Sequence, residues 1–248
     1  MSSSVERALH VLVELADGPI TISEVARRLE VHRTTSLRLL RTLEDEHFVR
    51  RTADGRYRIG PRMVTLAHAA LEGLDVRSAA GSHLRELGAA CGHTVHLAGL
   101  EGGQVMYLDK VESRHAVRMY SRIGALAPLH ATGVGKAILA AMSKQERSSL
   151  LGAEPFGRYT SNTRTTHAAL ESDLVQAAAL GWVLDDYEHE EFIHCIAAPV
   201  RDASGGVTAA VSISAPGFVL DRPGLLSLVD DLTTTATRIS EELGWDSP

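Results

Sequence analysis

Residues 21–60 read TISEVARRLEVHRTTSLRLLRTLEDEHFVRRTADGRYRIG, and the order of signals inside that stretch decides the amino-terminal fold. Thr21-Ile-Ser-Glu24 is a capping box: the Thr21 hydroxyl accepts the Glu24 amide hydrogen, and the Glu24 carboxylate reaches back to the Thr21 amide. Val25, Ala26 and Leu29 then share one face of a short helix ending near Glu30. A second helix opens around His32 and is read as carrying Leu37, Leu40 and Leu43 inward, with Arg33, Thr34, Thr35 and Arg38 pointing outward. Phe48–Arg51 and Arg56–Ile59, separated by Asp54-Gly55, make two short strands around a tight turn. Helix, turn, arginine-bearing helix and hairpin in this order predict a winged helix-turn-helix. The second helix of such a unit fits a major groove, and its hairpin can lie along neighbouring phosphates.

Charge supports that placement. The chain has 248 residues and a net charge of −6, but residues 27–62 hold ten arginines against five acids, so the remainder carries −11. The positive charge sits where phosphate would lie. Arg33 and Arg38 can offer paired donors to guanine, while Thr34 and Thr35 can bond phosphate or touch a thymine methyl. Arg50, Arg51, Arg56 and Arg58 on the wing, and Ser23 at the first helix start, are expected on phosphate. Two plainer readings stand beside these: the arginines as a solvated face, and the threonines as local caps.

Around this motif the chain organises into two domains. Val5, Ala8, Leu9, Leu12 and Leu15 follow helical spacing up to the breaker Asp17-Gly18-Pro19. Pro61 can open a helix, and Met63, Leu66, Ala67, Ala70, Leu71 and Leu74 stripe it. The division expected is a DNA-binding domain over 1–60, a linker helix over 61–75 and a second domain over 76–248. In the second domain, a helix with Leu84 and Leu87 precedes strand-like runs at Thr94–Leu100, Gln104–Val111 and Ala116–Tyr120. A buried helix over Gly133–Met142 follows, then a capping box at Ser143–Glu146 and a helix from about Thr166 to Leu180, closed by Gly181. Further strands fit Trp182–Tyr187, Cys195–Arg201 and Val207–Ser214, and one long amphipathic helix runs through Leu225, Leu232, Ile239 and Leu243. The class is α+β, with a six-stranded, mainly antiparallel sheet. No stretch approaches the roughly 18 uninterrupted apolar residues of a membrane span, and Met1-Ser-Ser-Ser-Val-Glu is no signal peptide. Two cysteines without a CxxC pair suit a reducing cytoplasm.

Three stretches resemble the IclR family of bacterial transcriptional regulators: Arg33–Leu40 with the hairpin ending Tyr57-Arg-Ile-Gly60, Pro128–Ala137, and Cys195–Val200 followed by Ala210–Pro216. The resemblance implies a dimeric DNA-binding half and a GAF-like domain that binds a small effector, often a carboxylate. It also implies that Cys195, Ser212, Ser214 and the acidic Asp185 line the effector cavity. The residues add their own reasons. Ala131–Gly135 opens a helix, so the Gly133 and Val134 amides can cradle an anion. Strand alternation puts Ser212 and Ser214 on one face, with Ile213 opposite. Met119 and Leu129 are read as core or pocket wall. This chain departs from the family pattern at His47, where members usually have Gly, and at Glu191-Phe-Ile-His-Cys195, where many have Gly before the cysteine.

Competing classes find less. GxSxG, HExxH and CxxC are absent, and Gly-Val-Gly-Lys136 lacks the glycine and hydroxyl of a phosphate-binding loop. Cys91, His93, His96, His189, His194 and Cys195 form a metal set only if their strands gather them. The expectation is therefore a regulator rather than an enzyme, without cofactor or membrane contact. Its partners are double-stranded operator DNA, a small organic acid and a second copy or dimer of dimers. The alternative is a ligand-binding sensor that acts through protein partners.

Overall fold

The Thr21 capping box closes from both sides: Thr21 Oγ1 accepts the Glu24 amide at 3.2 Å, and Glu24 Oε2 accepts the Thr21 amide at 2.7 Å. In the computed structural model, which describes residues 4–66, 76–115, 119 and 121–246, that box starts α2 (Ile22–Arg28). It follows α1 (Ser4–Ala16) and precedes α3 (Arg33–Asp45). β1 (Val49–Arg51) and β2 (Tyr57–Ile59) pair antiparallel with Arg50 opposite Arg58. Ile20 exchanges both backbone bonds with Tyr57, at 3.0 and 2.8 Å, which ties the entry of α2 to the wing. Val11, Leu15, Ile20, Val25, Leu40, Leu43, Val49 and Tyr57 form the core of this part.

Two details differ from the periodicity argument. The inward row of α3 is Ser36, Leu39, Leu40 and Leu43, and Leu37 is only half-buried. A spacing of three drifts round a helix of 3.6 residues per turn, so Leu37 leaves the stripe that Leu40 and Leu43 occupy. On α1 the buried residues are Val11 and Leu15, whereas Val5, Leu9 and Val13 are exposed. His47 carries the turn into the wing at φ +62°, a left-handed conformation that glycine adopts without strain. A Cβ on Gly60 would lie 2.3 Å from the His47 carbonyl oxygen, so the backbone itself requires glycine there.

Residues 61–66 are helical (α4), with Met63 half-buried and Leu66 exposed. The remainder of the proposed linker stripe, and most of the strand expected over 116–120, lie outside the described residues. The chain divides into compact units at Leu74/Asp75.

The second unit is built on a six-stranded antiparallel sheet in the order β5-β4-β3-β8-β7-β6. Its strands are β3 (Thr94–Glu101), β4 (Gln104–Val111), β5 (Leu126–Ala127), β6 (Val183–Asp185), β7 (Ile193–Arg201) and β8 (Val207–Pro216). β5, an edge strand of two residues, is too short to carry an alternation signal. Val95, Leu97, Ile196, Ala198, Ala209, Val211 and Ile213 face α5 (Val76–Cys91) and α10 (Val229–Glu242). Ala98, Ala197 and Ala210 face the other way, against α6 (Gly133–Ala140) and α8 (His167–Leu180). α7 (Lys144–Leu151) begins at its own capping box on Ser143, and Gly181 closes α8 at φ +78°. The expected long carboxy-terminal helix is two. α9 (Arg222–Leu226), capped by Asp221, ends in a turn at Ser227-Leu228 before α10 begins. The tightened bond from the Leu228 amide to Leu225 O, 3.1 Å, interrupts the helix without disturbing its apolar stripe.

Candidate functional site

In the first unit, Thr34, Arg38 and Arg41 lie at i, i+4 and i+7 of α3, and all three are exposed. Arg33 and Ser23 are exposed as well, and Thr35 is half-buried. The α3 N-cap is His32, whose Nδ1 accepts the Thr34 amide at 3.4 Å, so neither threonine supplies the cap. The four wing arginines are exposed. Two are partly engaged by the fold: Arg56 donates to Pro19 O at 3.1 Å, and Arg51 lies 6.0 Å above the Tyr57 ring. Arg50 and Arg58, paired across the hairpin, have neither tether. Arg41 was absent from the expected contact set, although its spacing from Arg38 marks the same face.

In the second unit the sheet register assembles a cavity. One rung runs Thr94–Ser214–Cys195–Asp185 across four strands, and another runs His96–Ser212–Ala197–Val183. Alternation turns His96, Ser212, Ser214 and Cys195 toward the start of α6, where the alanine floor gives way to polar groups. The cavity is lined by these four with Tyr107, Met119, Ser121, Thr132, Gly133, Val134, Asp185, His189, Glu190 and Ile193, and its volume is about 30 Å3. Thr132 caps α6 by accepting the Gly135 amide at 3.2 Å, so the amides of Gly133 and Val134 remain at the helix's positive end without an intrahelical acceptor. A Cβ on Gly133 would meet Cys195 Sγ at 3.0 Å and Ala197 Cβ at 3.3 Å; one on Gly135 would lie 2.6 Å from Leu129 O. Small residues are what let the helix start approach the sheet this closely.

The electrostatics are unusual for an anion site. Among the described residues the lining contains two carboxylates, Asp185 and Glu190, and no lysine or arginine. Asp185 is 4% exposed. Burial pushes its carboxyl up to about 7 against the opposing pull of Lys136. Its Oδ2 accepts the Cys195 thiol at 3.3 Å and its Oδ1 accepts the Glu188 amide at 2.8 Å. Burial raises the Cys195 thiol well above its ordinary value, which keeps it protonated. Burial, aided by Lys110, lowers His96 to about 3, so its ring is neutral. His96 Nε2 lies 2.7 Å from Ser121 Oγ, and its Nδ1 faces Ser212 and Ser214 at 3.4 and 3.5 Å.

Behind Asp185 stands a fully buried lysine. Lys136 is 0% exposed; its ammonium donates to Leu184 O at 2.7 Å and to Glu188, itself buried. Glu188 Oε2 has no hydrogen-bond partner. The Gly133-Val-Gly-Lys136 stretch that fails as a phosphate loop thus supplies an internal ion pair that braces the turn after β6.

Residues 68–241 match the family described as bacterial transcriptional regulator IclR C-terminal, and residues 1–78 match the HVO_A0261 N-terminal domain. The chain is 32% identical to the HTH-type transcriptional regulator XynR of Escherichia coli (strain K12), over 98% of this chain and 97% of that protein. Against KdgR of the same organism the identity is 33%, over 98% and 93%. The crystal structure of the Agobacterium tumefaciens repressor BlcR superposes with a TM-score of 0.83 at 30% identity, covering 98% of both chains. The chain belongs to the IclR family. As an IclR regulator it is a DNA-binding protein of transcription, and the sensor acting solely through protein partners has no support.

Against that identity, the residues anticipated for the effector side sort clearly. Met119, Gly133, Val134, Asp185, Cys195, Ser212 and Ser214 all line the cavity. Leu129 does not: it packs against the core beneath α6, where its backbone meets Gly135. His96, Tyr107, Ser121, Thr132, His189, Glu190 and Ile193 were not anticipated as effector-lining residues. His96 had a usable signal, a lone polar ring at an inward position of an apolar strand. The six residues weighed as a metal set are spread out. His96, His189 and Cys195 line the cavity; Cys91 and His93 sit together at the end of α5, and His194 bonds Leu220 O at 2.8 Å.

Proposed function

We propose that this IclR regulator reads a pseudo-palindromic operator as a homodimer, and that a small monocarboxylate bound at the start of α6 adjusts its hold on DNA. The observation that carries the DNA reading is the exposed row Thr34, Arg38 and Arg41 on α3, flanked by Arg50 and Arg58 on the wing. Arg33, Arg38 and Arg41 are assigned to base edges, and Ser23, Thr34, Thr35 and the wing arginines to phosphate or thymine methyl contacts. Arg38→Ala is expected to weaken binding by about 1–3 kcal/mol, measured by anisotropy at fixed salt on a genomic fragment selected by the wild type. Arg50→Ala and Arg58→Ala act differently: they weaken all sequences alike and reduce the salt slope by about one each. Unchanged affinity for Arg38→Ala removes Arg38 from the reading face.

The homodimer reading is supported by apolar surface that the unit leaves open. Val5 and Leu9 are 69% and 57% exposed, and together with Ala8, Leu12, Leu39, Leu43 and Phe48 they line a groove of about 540 Å3 between α1 and α3. A second copy supplies the self-complementary face that two-fold operator binding requires. Leu9→Glu is expected to shift the protein from dimer toward monomer in sedimentation velocity, with operator affinity falling alongside. A dimer unchanged at micromolar concentration assigns the groove to something else.

On the effector side, the neutral donors at Gly133, Val134, Ser212, Ser214 and His96 support a carboxylate ligand. A thermal-shift screen of small organic acids on wild type and Ser212→Ala/Ser214→Ala tests it; a compound that shifts both equally binds elsewhere. The buried, protonated thiol and neutral imidazole suit a sensor with no activated nucleophile, acting in the cytoplasm without catalysis. Coupling between effector and operator then operates as a population shift of about 1–3 kcal/mol.

A further inference from the structure

An anion placed on the Gly133 and Val134 amides has a carboxylate for a neighbour. The Cβ position at Gly133 is 3.8 Å from Asp185 Cβ. Lys136, from α6, is the charge that opposes protonation of Asp185, without overcoming burial. Its ammonium is shared among Leu184 O, Glu188 and, at 4.0 Å, Asp173. Glu188 and Glu190, from the turn after β6, add negative charge. Lys110, from β4, is committed to Met119 O, Ser121 O and Glu112 at 3.0, 3.1 and 3.0 Å. The groups facing Asp185 from β3, β4 and β7 are a neutral imidazole (His96), a phenol (Tyr107) and a thiol (Cys195), and His189 is also held toward its neutral form by burial. A second carboxylate seated on the Gly133 and Val134 amides, beside the buried Asp185, disfavours the ionisation of both at once.

We propose that the cavity takes its effector as a monocarboxylate together with one proton from solvent, the proton residing on Asp185, whose O–H then faces the ligand. This rests on the carboxylate reading above and deepens it: Asp185 is the residue that selects for a single negative charge, and a second carboxylate on the ligand is rejected. Binding is therefore proton-linked. Affinity is flat between the ligand's own carboxyl pKa and the Asp185 midpoint, and weakens toward about tenfold per pH unit above that midpoint, because each binding event must first restore the missing proton.

The probe is acetate, the smallest carboxylate, titrated into the full-length protein carrying 13C at the aspartate carboxyls, with Asp185→Asn for assignment. Saturating acetate is expected to move the Asp185 midpoint up by about one pH unit or more. The acetate Kd of Asp185→Asn is expected to lose its pH dependence, since the amide mimics the protonated acid. An Asp185 midpoint that stays put or falls while the Gly133 and Val134 amide signals report bound acetate overturns the proposal. So does a pH dependence that survives Asp185→Asn and vanishes in Glu190→Gln. Amide signals at Gly133 and Val134 that ignore acetate at every pH strike down the carboxylate reading itself, a separate and recognisable failure. The Kd-against-pH curve of the wild type and of Glu190→Gln decides the matter even if Asp185→Asn does not fold.

Discussion

Lys136→Met should cost the second unit about 3–5 kcal/mol, because it strands a carboxylate in the interior. The ion pair itself is weak support for stability, since burying both charges is expensive. Removing one partner is different. Glu188 would keep its place beneath the surface with Asp186 N at 3.4 Å as its remaining donor and one oxygen already unpartnered. Its carboxyl is raised by burial even now, and the lost ammonium is the neighbour that pulls it down. The raised folded value fixes the sign of the pH effect: the folded state binds more protons than the unfolded state, so stability falls as pH rises above the ordinary carboxylate range. The deficit of Lys136→Met is therefore smallest near pH 4–5 and full at neutrality. Urea melts followed by tryptophan fluorescence report on this unit alone, because both tryptophans, Trp182 and Trp245, lie in it. Lys136→Met/Glu188→Gln should recover most of the loss. A double variant as unstable as the single one would mean that Lys136 acts through packing of its methylenes.

Which of these features the sequence disclosed follows from the range over which each is determined. Thr21–Glu24, Ser143–Glu146, Gly181 and Asp54-Gly55 are local devices, each complete within a few residues, and all form where their chemistry places them. Ser212 and Ser214 were legible for the same reason, since a strand's period is set by its own backbone. The cavity's other half was not, because it depends on register. His96 acquires its role only when β3 pairs with β8 and sets it opposite Ser212. A buried helix over Gly133–Met142 is legible from its own residues, but the partner of its lysine is not, because Lys136 meets Glu188 only when α6 packs against the turn after β6. The turn between α9 and α10 hid for the converse reason: Leu225, Leu232 and Ile239 keep one apolar stripe across it, so periodicity continues where the backbone does not. Arg41 was overlooked on the most legible helix of all. Its charge was counted and its face was not.

Asp185→Asn should stabilise the protein in a pH-dependent way, and the dependence is the larger part of the expectation. An aspartate that titrates near its ordinary value of 3.8 when unfolded and at about 7 when folded makes folding take up a proton between those values. Stability contributed by the wild-type side chain is therefore lost progressively as pH rises from about 4 to about 7, and the penalty is constant above that. Asparagine has no such proton to lose, and its carbonyl can still accept the Glu188 amide. The gain over wild type should thus be about 2–3 kcal/mol greater at pH 8 than at pH 5. Parallel urea melts at the two pH values measure it directly, each variant serving as its own reference for the other titrating groups. A gain of the same size at both pH values would place the Asp185 carboxylate in contact with more compensating charge than Lys136 supplies, and with that the physical basis for a proton-coupled effector site would disappear. A gain that grows with pH ties the cost of burying this carboxylate to the site: the proposed effector cavity is then held in a state that an incoming anion, bringing its proton, relieves.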